Sequence, residues 1–328
     1  MNTIVYTCPY VPAEWIAAHG LQPRRLIPLP LEGTLTIPRI EGLCPYARAF
    51  ANDVAASKDV GGIVVTTMCD QMRRIFDLLV RRVNMPAFLL NVPSTWQTVT
   101  AQRLYLDELK RLARFLVRLG GRTPDDRELA RVMLGSAGWA GPPNALPRVW
   151  GPLLNPRVKD VSVEEKRELR THPTGPAHHH PKSVPLAIVG GPLMQRDCIL
   201  FDIAEECGAQ IVLDATETGQ RGQPEAFDRR RLAEDPLLEL AQAYFHIPDA
   251  SRRPNSELYE WLKEELGRAG ARGILFHHYV WCDKWHAEFE RLKEWIKLPM
   301  LRLDSEGGGE MNGARVRNRI HAFVEALR

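Results

Sequence analysis

Four of the six cysteines in the sequence stand at predicted strand ends or helix starts, where their thiols could form one reactive or metal-binding site. They are Cys8, Cys44, Cys69 and Cys282. Cys69 and Cys282 are each followed by aspartate, after an apolar run that predicts a buried strand and before a stretch that predicts a helix. Cys44 also begins a predicted helix, with proline in its favoured first position, and Cys8 follows the first predicted strand. Parallel sheets bind ligands at the carboxyl ends of their strands, where helix N-termini lower thiol pKa values and stabilise negative charge. An iron–sulfur cluster needs such conditions.

The residues alone leave the use of these cysteines open. Their spacing lacks the compact C-x-x-C pattern of ferredoxins and zinc ribbons, so it names no metal. A zinc site that adds His286, one helical turn beyond Cys282, is chemically acceptable, and so is packing in the core. Cys198 and Cys207 lie on one predicted helix, nine residues apart and so on opposite faces, which predicts that both are small core residues.

Short β-branched runs alternate with helical patterns along most of the chain, which predicts an α/β fold with parallel sheets. We predict two doubly wound (Rossmann/flavodoxin-like) domains, over 1–119 and 184–328, with the cysteine site between them. Residues 120–183 are rich in proline and predict a helical and loop connector. The predicted strands cover 3–7, 62–67, 87–91, 185–189, 210–214, 273–277 and 300–303. The helix predicted over 97–119 has this apolar face: Leu104, Leu109, Leu112, Phe115, Leu116 and Leu119.

Composition and missing motifs exclude several classes of protein. The net charge is only +3, with 43 basic and 40 acidic residues interspersed, which does not indicate nucleic-acid binding. No run of about 18 apolar residues predicts a membrane span, and no secretory signal is evident, so we expect a cytoplasmic protein with reduced cysteines. The G-x-G-x-x-G, P-loop, G-x-S-x-G and H-E-x-x-H motifs are missing. His178–His180 could bind a metal but is more typical of an exposed loop.

Several segments in a fixed order carry a family resemblance and cover nearly the whole chain apart from its proline-rich middle. They are YVPAEWIAAHGLQP at 10–23, LCPY at 43–46, GIVVTTMCDQMR at 62–73, IVLD at 211–214 with GQR at 219–221, WCD at 281–283 and ARVRNRIHAFVE at 314–325. In these segments the chain resembles the 2-hydroxyacyl-CoA dehydratase family (D-component). That family also includes the catalytic subunits of ATP-dependent benzoyl-CoA reductases.

The resemblance implies that Cys44, Cys69 and Cys282 bind a [4Fe–4S] cluster whose fourth iron is open to water, sulfide or substrate. It implies an oxygen-sensitive lyase that removes water from an acyl-CoA thioester through a ketyl radical, with the electron supplied by an ATP-hydrolysing iron–sulfur activator. A heterodimer of two related subunits, or a homodimer, is implied as well. One alternative is a benzoyl-CoA reductase-type or electron-transfer subunit, with a double-cubane [8Fe–9S] cluster to which Cys8 adds a ligand. A zinc-binding structural protein is the other.

One loop departs from the pattern of the family. Its members commonly carry a cysteine after the strand at 211–214, whereas this chain has Glu217 near that place. We regard Glu217 and His278 as candidate catalytic residues and Arg221 as a candidate substrate-binding residue. The alternatives are that Glu217 and Arg221 order a polar loop, and that the histidines near Cys282 are structural, with His277 in the core and His286 at the surface.

Overall fold

The computed structural model describes residues 2–30, 41–82, 85–137, 183–306 and 313–328. The predicted His178–His180 site and most of the predicted connector lie outside these residues. Within the described ranges, no helix is both long enough and apolar enough to cross a membrane.

The first sheet has four parallel strands in the order β2-β1-β3-β4. Its strands are β1 (Thr3–Tyr6), β2 (Gln22–Arg25), β3 (Val60–Thr66) and β4 (Ala87–Leu90). The helices of this half are α1 (Ala13–Ala18), α2 (Pro45–Ala56), α3 (Asp70–Arg82), α4 (Val99–Arg118) and α5 (Asp126–Ala137). The two central strands are mostly buried on both faces, as expected where helices cover both sides of a parallel sheet.

The second sheet also has four parallel strands, in the order β6-β5-β7-β8. Its strands are β5 (Val184–Gly190), β6 (Ala209–Ala215), β7 (Gly273–Tyr279) and β8 (Met300–Ser305). The helices are α6 (Ile199–Glu206), α7 (Arg229–Glu234), α8 (Pro236–Phe245), α9 (Ser256–Ala269), α10 (Asp283–Trp295) and α11 (Gly313–Leu327), and 3-10 turns cover Gln195–Cys198 and Gln220–Gly222. At the end of β5 only glycine fits, because a Cβ on Gly190 would lie 1.8 Å from the carbonyl oxygen of His277.

The predicted fold class is confirmed, and the two sheets share one topology. In each sheet the second strand along the chain is an outer strand, and the third lies between the first and the fourth. Strands β3 and β7 therefore hold equivalent positions. Each is followed by a short loop and then by a Cys-Asp pair at the beginning of a helix. The doubly wound topology thus brings both pairs to the carboxyl end of a sheet.

Sequence patterns missed one strand and one short helix, and they misplaced one residue of a third element. Strand β2 is formed by Gln-Pro-Arg-Arg, which has no apolar pattern, and two arginines are buried in it because Arg24 pairs with Asp59 at 2.7 Å and Arg25 donates to a backbone oxygen. Helix α7 was also missed; its first turn is capped by the side chain of Asp228. Leu104, predicted to be on the buried face of α4, is instead 42% exposed.

Helix α8 packs on the first half of the molecule although it follows β6 in the sequence. It contacts α4 and α5, and Leu240 and Phe245 share one apolar cluster with Ile16 and Leu112. Its Tyr244 hydroxyl donates to Glu14 in α1 at 2.6 Å. The first core is therefore completed by residues from the second half of the chain.

Further hydrogen bonds join the halves along their carboxyl-end loops. The hydroxyl of Tyr10, just after β1, donates to the carbonyl oxygen of Ile247 at 2.6 Å and accepts from Arg252 Nε at 3.0 Å. Gln195 donates from its side chain to the carbonyl oxygen of Ile27 at 2.9 Å. Because these contacts lie beyond the strand ends, they hold the two carboxyl edges close together.

Candidate cysteine site

Each of the three cysteines in the proposed ligand set stands at the N-terminus of a helix. Cys44 and Cys282 are the N-cap residues of α2 and α10, and their carbonyl oxygens accept from backbone N–H groups four residues later at 3.0 and 2.9 Å. Cys69 precedes α3 and accepts from Arg73 N at 3.0 Å in the same way. The backbone N–H of Cys44 donates to the side chain of Gln71, which ties α2 to α3. Three helix dipoles therefore present their positive ends at these thiols.

The three side chains come together from both halves of the molecule. They pack against one apolar cluster, in which the rings of Tyr46 from α2 and Tyr279 from β7 are 5.9 Å apart. Burial raises the pKa of the Cys44 thiol, and the neighbouring thiols of Cys282 and Cys69 raise it further. Burial likewise raises the pKa of Cys282 to about 12, with a contribution from Cys69. In the metal-free protein these groups are thus neutral thiols, which release protons when a metal binds.

The donor set consists of three thiols, the ligand type of zinc sites and of iron–sulfur clusters alike. All three cysteines are free, and helix N-termini stabilise the negative charge that thiolates and sulfides bring. A single zinc ion would need sulfurs within about 4 Å of each other, because each Zn–S bond is about 2.3 Å long. Among the described residues, no group of three or more His, Cys, Asp or Glu side chains is arranged to hold one metal ion. His286, the proposed fourth zinc ligand, is exposed and lies 3.1 Å from Arg302 Nη2.

The remaining cysteines fall into three environments. Cys8 lies just beyond β1 and is buried, and its pKa is raised to about 12 by burial and by the charge of Glu217. Cys207 is buried, as predicted. Cys198 was predicted to be a core residue, and that prediction is wrong: it ends a 3-10 turn before α6 and is exposed. Cys198 lies on the side of the helix opposite Cys207, and because Cys207 faces the core, Cys198 faces solvent.

A buried charge network lies beside the thiols, and of its members sequence patterns had singled out Glu217 and Arg221 but neither Lys284 nor Asp249. Lys284, in the first turn of α10, has its Nζ 3.0 Å from Asp249 Oδ1 and 3.6 Å from Glu217 Oε2. Asp249 also accepts from the Ser251 backbone N–H at 2.8 Å. Burial raises the pKa of Asp249, but Lys284 and Arg221 outweigh this and hold the pKa well below its usual range.

The guanidinium of Arg221 is fully buried within this network. It donates to Asp249 Oδ2 at 3.1 Å and to three backbone oxygens at 2.8 to 3.0 Å, and it lies 4.8 Å from the ring centroid of Trp285. One of those oxygens belongs to Gly190, at the end of β5. Arg221 thus ties the loop after β6 to the neighbouring strand end, and a direct contact with substrate stays a prediction.

The histidines after Phe276 lie on opposite faces of β7. His278 is buried; its Nδ1 contacts the carbonyl oxygen of Tyr279 at 3.2 Å, and its Nε2 lies 2.7 Å from Asp304 Oδ1. Burial lowers its pKa. His277 is 1% exposed, and its ring nitrogens have no hydrogen-bond partner among the described residues. The catalytic role of His278 stays a prediction, whereas the core and surface positions of His277 and His286 are those expected for structural histidines.

A cavity of about 630 Å³ opens beside Cys69 at the carboxyl ends of β3 and β4. The residues on either side of Cys69 line it, and Ser251 contributes from the second half of the chain. Its full lining is Thr67, Met68, Asp70, Arg73, Asn91, Val92, Pro93, Ser94, Thr95 and Ser251. This is the position in which a doubly wound sheet binds its ligand.

Comparison with known proteins identifies the family. The family model for the 2-hydroxyglutaryl-CoA dehydratase D-component matches residues 8–137 and 160–327. The chain belongs to this family. It is a 2-hydroxyacyl-CoA dehydratase-type subunit, and the matched segments include all the cysteines discussed above. No curated protein matches the dehydratase-family chain.

Solved structures similar to the dehydratase-family chain are distant. The SBP FpvC from Pseudomonas aeruginosa, in complex with Mn²⁺, is 11% identical, with 100% of this chain and 98% of that chain covered and a TM-score of 0.23. The laminin-binding protein Lbp of Streptococcus pyogenes is 12% identical, with 100% of both chains covered and a TM-score of 0.24. At such TM-scores the likeness supports no conclusion about this chain.

An unusual turn precedes Cys282 in the dehydratase-family chain. The N–H of Cys282 donates to the carbonyl oxygen of Tyr279 at 3.1 Å, and the third residue of the turn, Trp281, has φ +65°. Turns of this kind favour glycine at that position, because a side chain is strained in the left-handed region. Trp281 is the one non-glycine residue with positive φ among those described, and it is 59% exposed.

The Trp281→Gly variant is expected to be more stable than the wild type, with a free energy of unfolding higher by about 1 kcal/mol. Relief of the strained φ at this position should exceed the entropy cost of glycine. Urea unfolding of the iron-free protein measures this. Val280→Gly, at the preceding position of the same turn, is the matched control and should lower the free energy of unfolding. A Trp281→Gly protein less stable than the wild type would show that the indole itself stabilises the fold.

Proposed function

We propose that the chain is the [4Fe–4S] subunit of a radical 2-hydroxyacyl-CoA dehydratase that removes water from a CoA thioester. The proposal rests on one observation: three free, mutually interacting cysteines stand at three helix N-termini that converge from both sheets. Cys44, Cys69 and Cys282 would hold the cluster. When bound, such a cluster supplies a single low-potential electron to the thioester carbonyl.

The chain's own residues would bind and orient the substrate beside Cys69. The cavity at the ends of β3 and β4 is large enough for an acyl thioester, since ligand pockets measure about 300 to 1,000 Å³. Ser94, Thr95 and Ser251 supply hydroxyl groups to its lining, and Arg73 supplies a guanidinium that suits the phosphates of CoA. Glu217 is the carboxylate proposed to transfer a proton, because its charge acts on the thiols of Cys8, Cys69 and Cys282. His278, which contacts Asp304 on β8, is the second proposed proton-transfer residue.

The proposal includes partners and a compartment. A related second subunit, or a second copy of this chain, would complete the enzyme, and an ATP-hydrolysing iron–sulfur activator would supply the electron. Free cysteines and an oxygen-sensitive cluster suit the reducing cytoplasm.

Anaerobic purification with counts of iron, sulfide and zinc tests the proposal. We expect brown protein with about four iron atoms per chain. Dehydration of 2-hydroxyacyl-CoA thioesters should then depend on a coexpressed activator. Colourless protein that cannot be reconstituted with iron and sulfide would refute the proposal, and stoichiometric zinc in oxygen-stable protein would favour the structural alternative.

The reductase or electron-transfer alternative has one structural observation in its favour. Cys8 is buried just beyond the central strand β1, and the charge of Glu217 acts on its thiol as it does on those of Cys69 and Cys282. About eight iron atoms per chain, lost on replacement of Cys8, would support a double-cubane cluster instead.

A further inference from the structure

Lys284 is a largely buried cation at the edge of the cysteine site. Its side chain is 16% exposed, and it stands two residues after Cys282 in the first turn of α10. Its Nζ lies 3.0 and 3.4 Å from the two carboxylate oxygens of Asp249 and 3.6 Å from Glu217 Oε2. These contacts fix the ammonium group in one place.

Lys284 is one of several donors that compensate the charge of the Asp249 carboxylate. Arg221 already donates to Asp249, and the backbone N–H and hydroxyl of Ser251 donate to it as well. A second buried cation has a desolvation cost that its partners must offset, and Glu217 at 3.6 Å offsets part of it. Lys284 thus shares the compensation of Asp249 with these donors, and its ammonium group also lies beside Glu217 at the edge of the cysteine site.

The positive charge of Lys284 acts on the cysteine thiols. Burial has the largest effect on the pKa of the Cys69 thiol and raises it, and the charge of Lys284 has the next largest effect and lowers it. The same two influences are the largest at Cys282, with the same signs. The two cysteines come from different halves of the molecule, so the ammonium lies near the junction at which the sheets meet. Glu217 acts on the same two thiols with the opposite sign.

We propose that Lys284 is a positioning residue whose fixed positive charge raises the reduction potential of the cluster held by Cys44, Cys69 and Cys282, and that Glu217 opposes it. The inference rests on the proposed function. Reduction adds one electron, and so one negative charge, to the cluster. A cation nearby stabilises the reduced state and an anion destabilises it, and both effects are large where water is excluded.

The test is a redox titration of the full-length protein, loaded anaerobically with iron and sulfide and followed by electron paramagnetic resonance. Lys284→Gln should lower the reduction potential, and Glu217→Gln should raise it. Lys284→Arg, which keeps the charge, should stay close to the wild type. Lys293→Gln is the matched control, because Lys293 is on the same helix and exposed, and its potential should equal that of the wild type.

Opposite shifts separate charge from loosened structure, because a general disturbance of the site would move both potentials in the same direction. Equal potentials in Lys284→Gln and Lys293→Gln, or parallel shifts in Lys284→Gln and Glu217→Gln, would overturn the inference. If Lys284→Gln fails to fold, the potential of Glu217→Gln decides alone, and an unchanged value overturns it. Wild-type protein that takes up no cluster would instead overturn the proposed function itself, together with this inference.

Discussion

Replacing Cys69 by serine is expected to reduce the iron content from about four atoms per chain to background, whereas Cys198→Ser should leave it unchanged. Cys69 stands between β3 and α3 and interacts with the thiols of both other proposed ligands. With Cys69 gone, two thiols from different halves of the molecule remain. Serine has a hydroxyl of far higher pKa in place of the thiol, and it is a poor ligand for iron.

Anaerobic reconstitution followed by iron and sulfide counts and an absorption spectrum measures the loss. Cys198 is the matched control, since the same substitution there changes an exposed side chain at the start of α6. Equal loss of iron from both variants would contradict the ligand assignment. Full iron in Cys69→Ser would contradict it too. Circular dichroism should show the same helix content in both proteins, because neither cysteine is a fully buried core residue.

The second large effect is expected from Asp249→Asn, which should lower the free energy of unfolding by about 3 to 5 kcal/mol at neutral pH. The substitution keeps the shape of the side chain and removes its charge. Arg221 and Lys284 would then be buried without the carboxylate that both of them contact. Breaking a buried ion pair has this large cost because the remaining charge is desolvated and uncompensated.

The effect of pH has a defined sign. The pKa of Asp249 in the folded protein is held below its ordinary value of about 3.9, so the stabilisation is complete above about pH 4. It is lost as the pH falls further and the folded protein also takes up the proton. The wild type should therefore lose stability below about pH 4 more steeply than Asp249→Asn.

Urea unfolding of the iron-free proteins, at neutral pH and at several acidic values, measures both predictions. Asp283→Asn is the matched control, because Asp283 begins α10 and is exposed, and its loss should change the free energy of unfolding by less than about 1 kcal/mol. Equal unfolding midpoints for Asp249→Asn and Asp283→Asn would show that the buried network contributes little.

Structural features that depend on a short stretch of sequence could be predicted. Strands β3 and β7 are apolar runs, and the Cys-Asp pair after each one revealed the strand-to-helix junction. The predicted fold class followed from the alternation of such runs with helices. Strand β2 could not be found in this way, because its residues are buried through an ion pair and side-chain hydrogen bonds rather than through apolar side chains.

Sequence patterns singled out Glu217 and Arg221 but not the charge network that they form with Lys284 and Asp249, because its members are far apart in sequence. Lys284 and Asp249 are 35 residues apart, and no local pattern distinguishes either from a surface charge. Helix α8 posed the same problem, since its apolar face is evident from sequence but the sheet that it covers is not. The core position predicted for Cys198 was wrong for a different reason: Cys198 lies opposite the buried Cys207 on the same helix, so both could not face the core.

The cysteine set is divided unequally between the sheets, with Cys44 and Cys69 on the first and Cys282 on the second. A group that binds all three can do so only while the carboxyl edges of both sheets stay docked. The binding of that group therefore stabilises the docked arrangement, as any ligand stabilises the one conformation that it binds. Metal binding would then cross-link the two sheets at their carboxyl edges. Iron deprivation would weaken the junction between the sheets before it weakened either hydrophobic core.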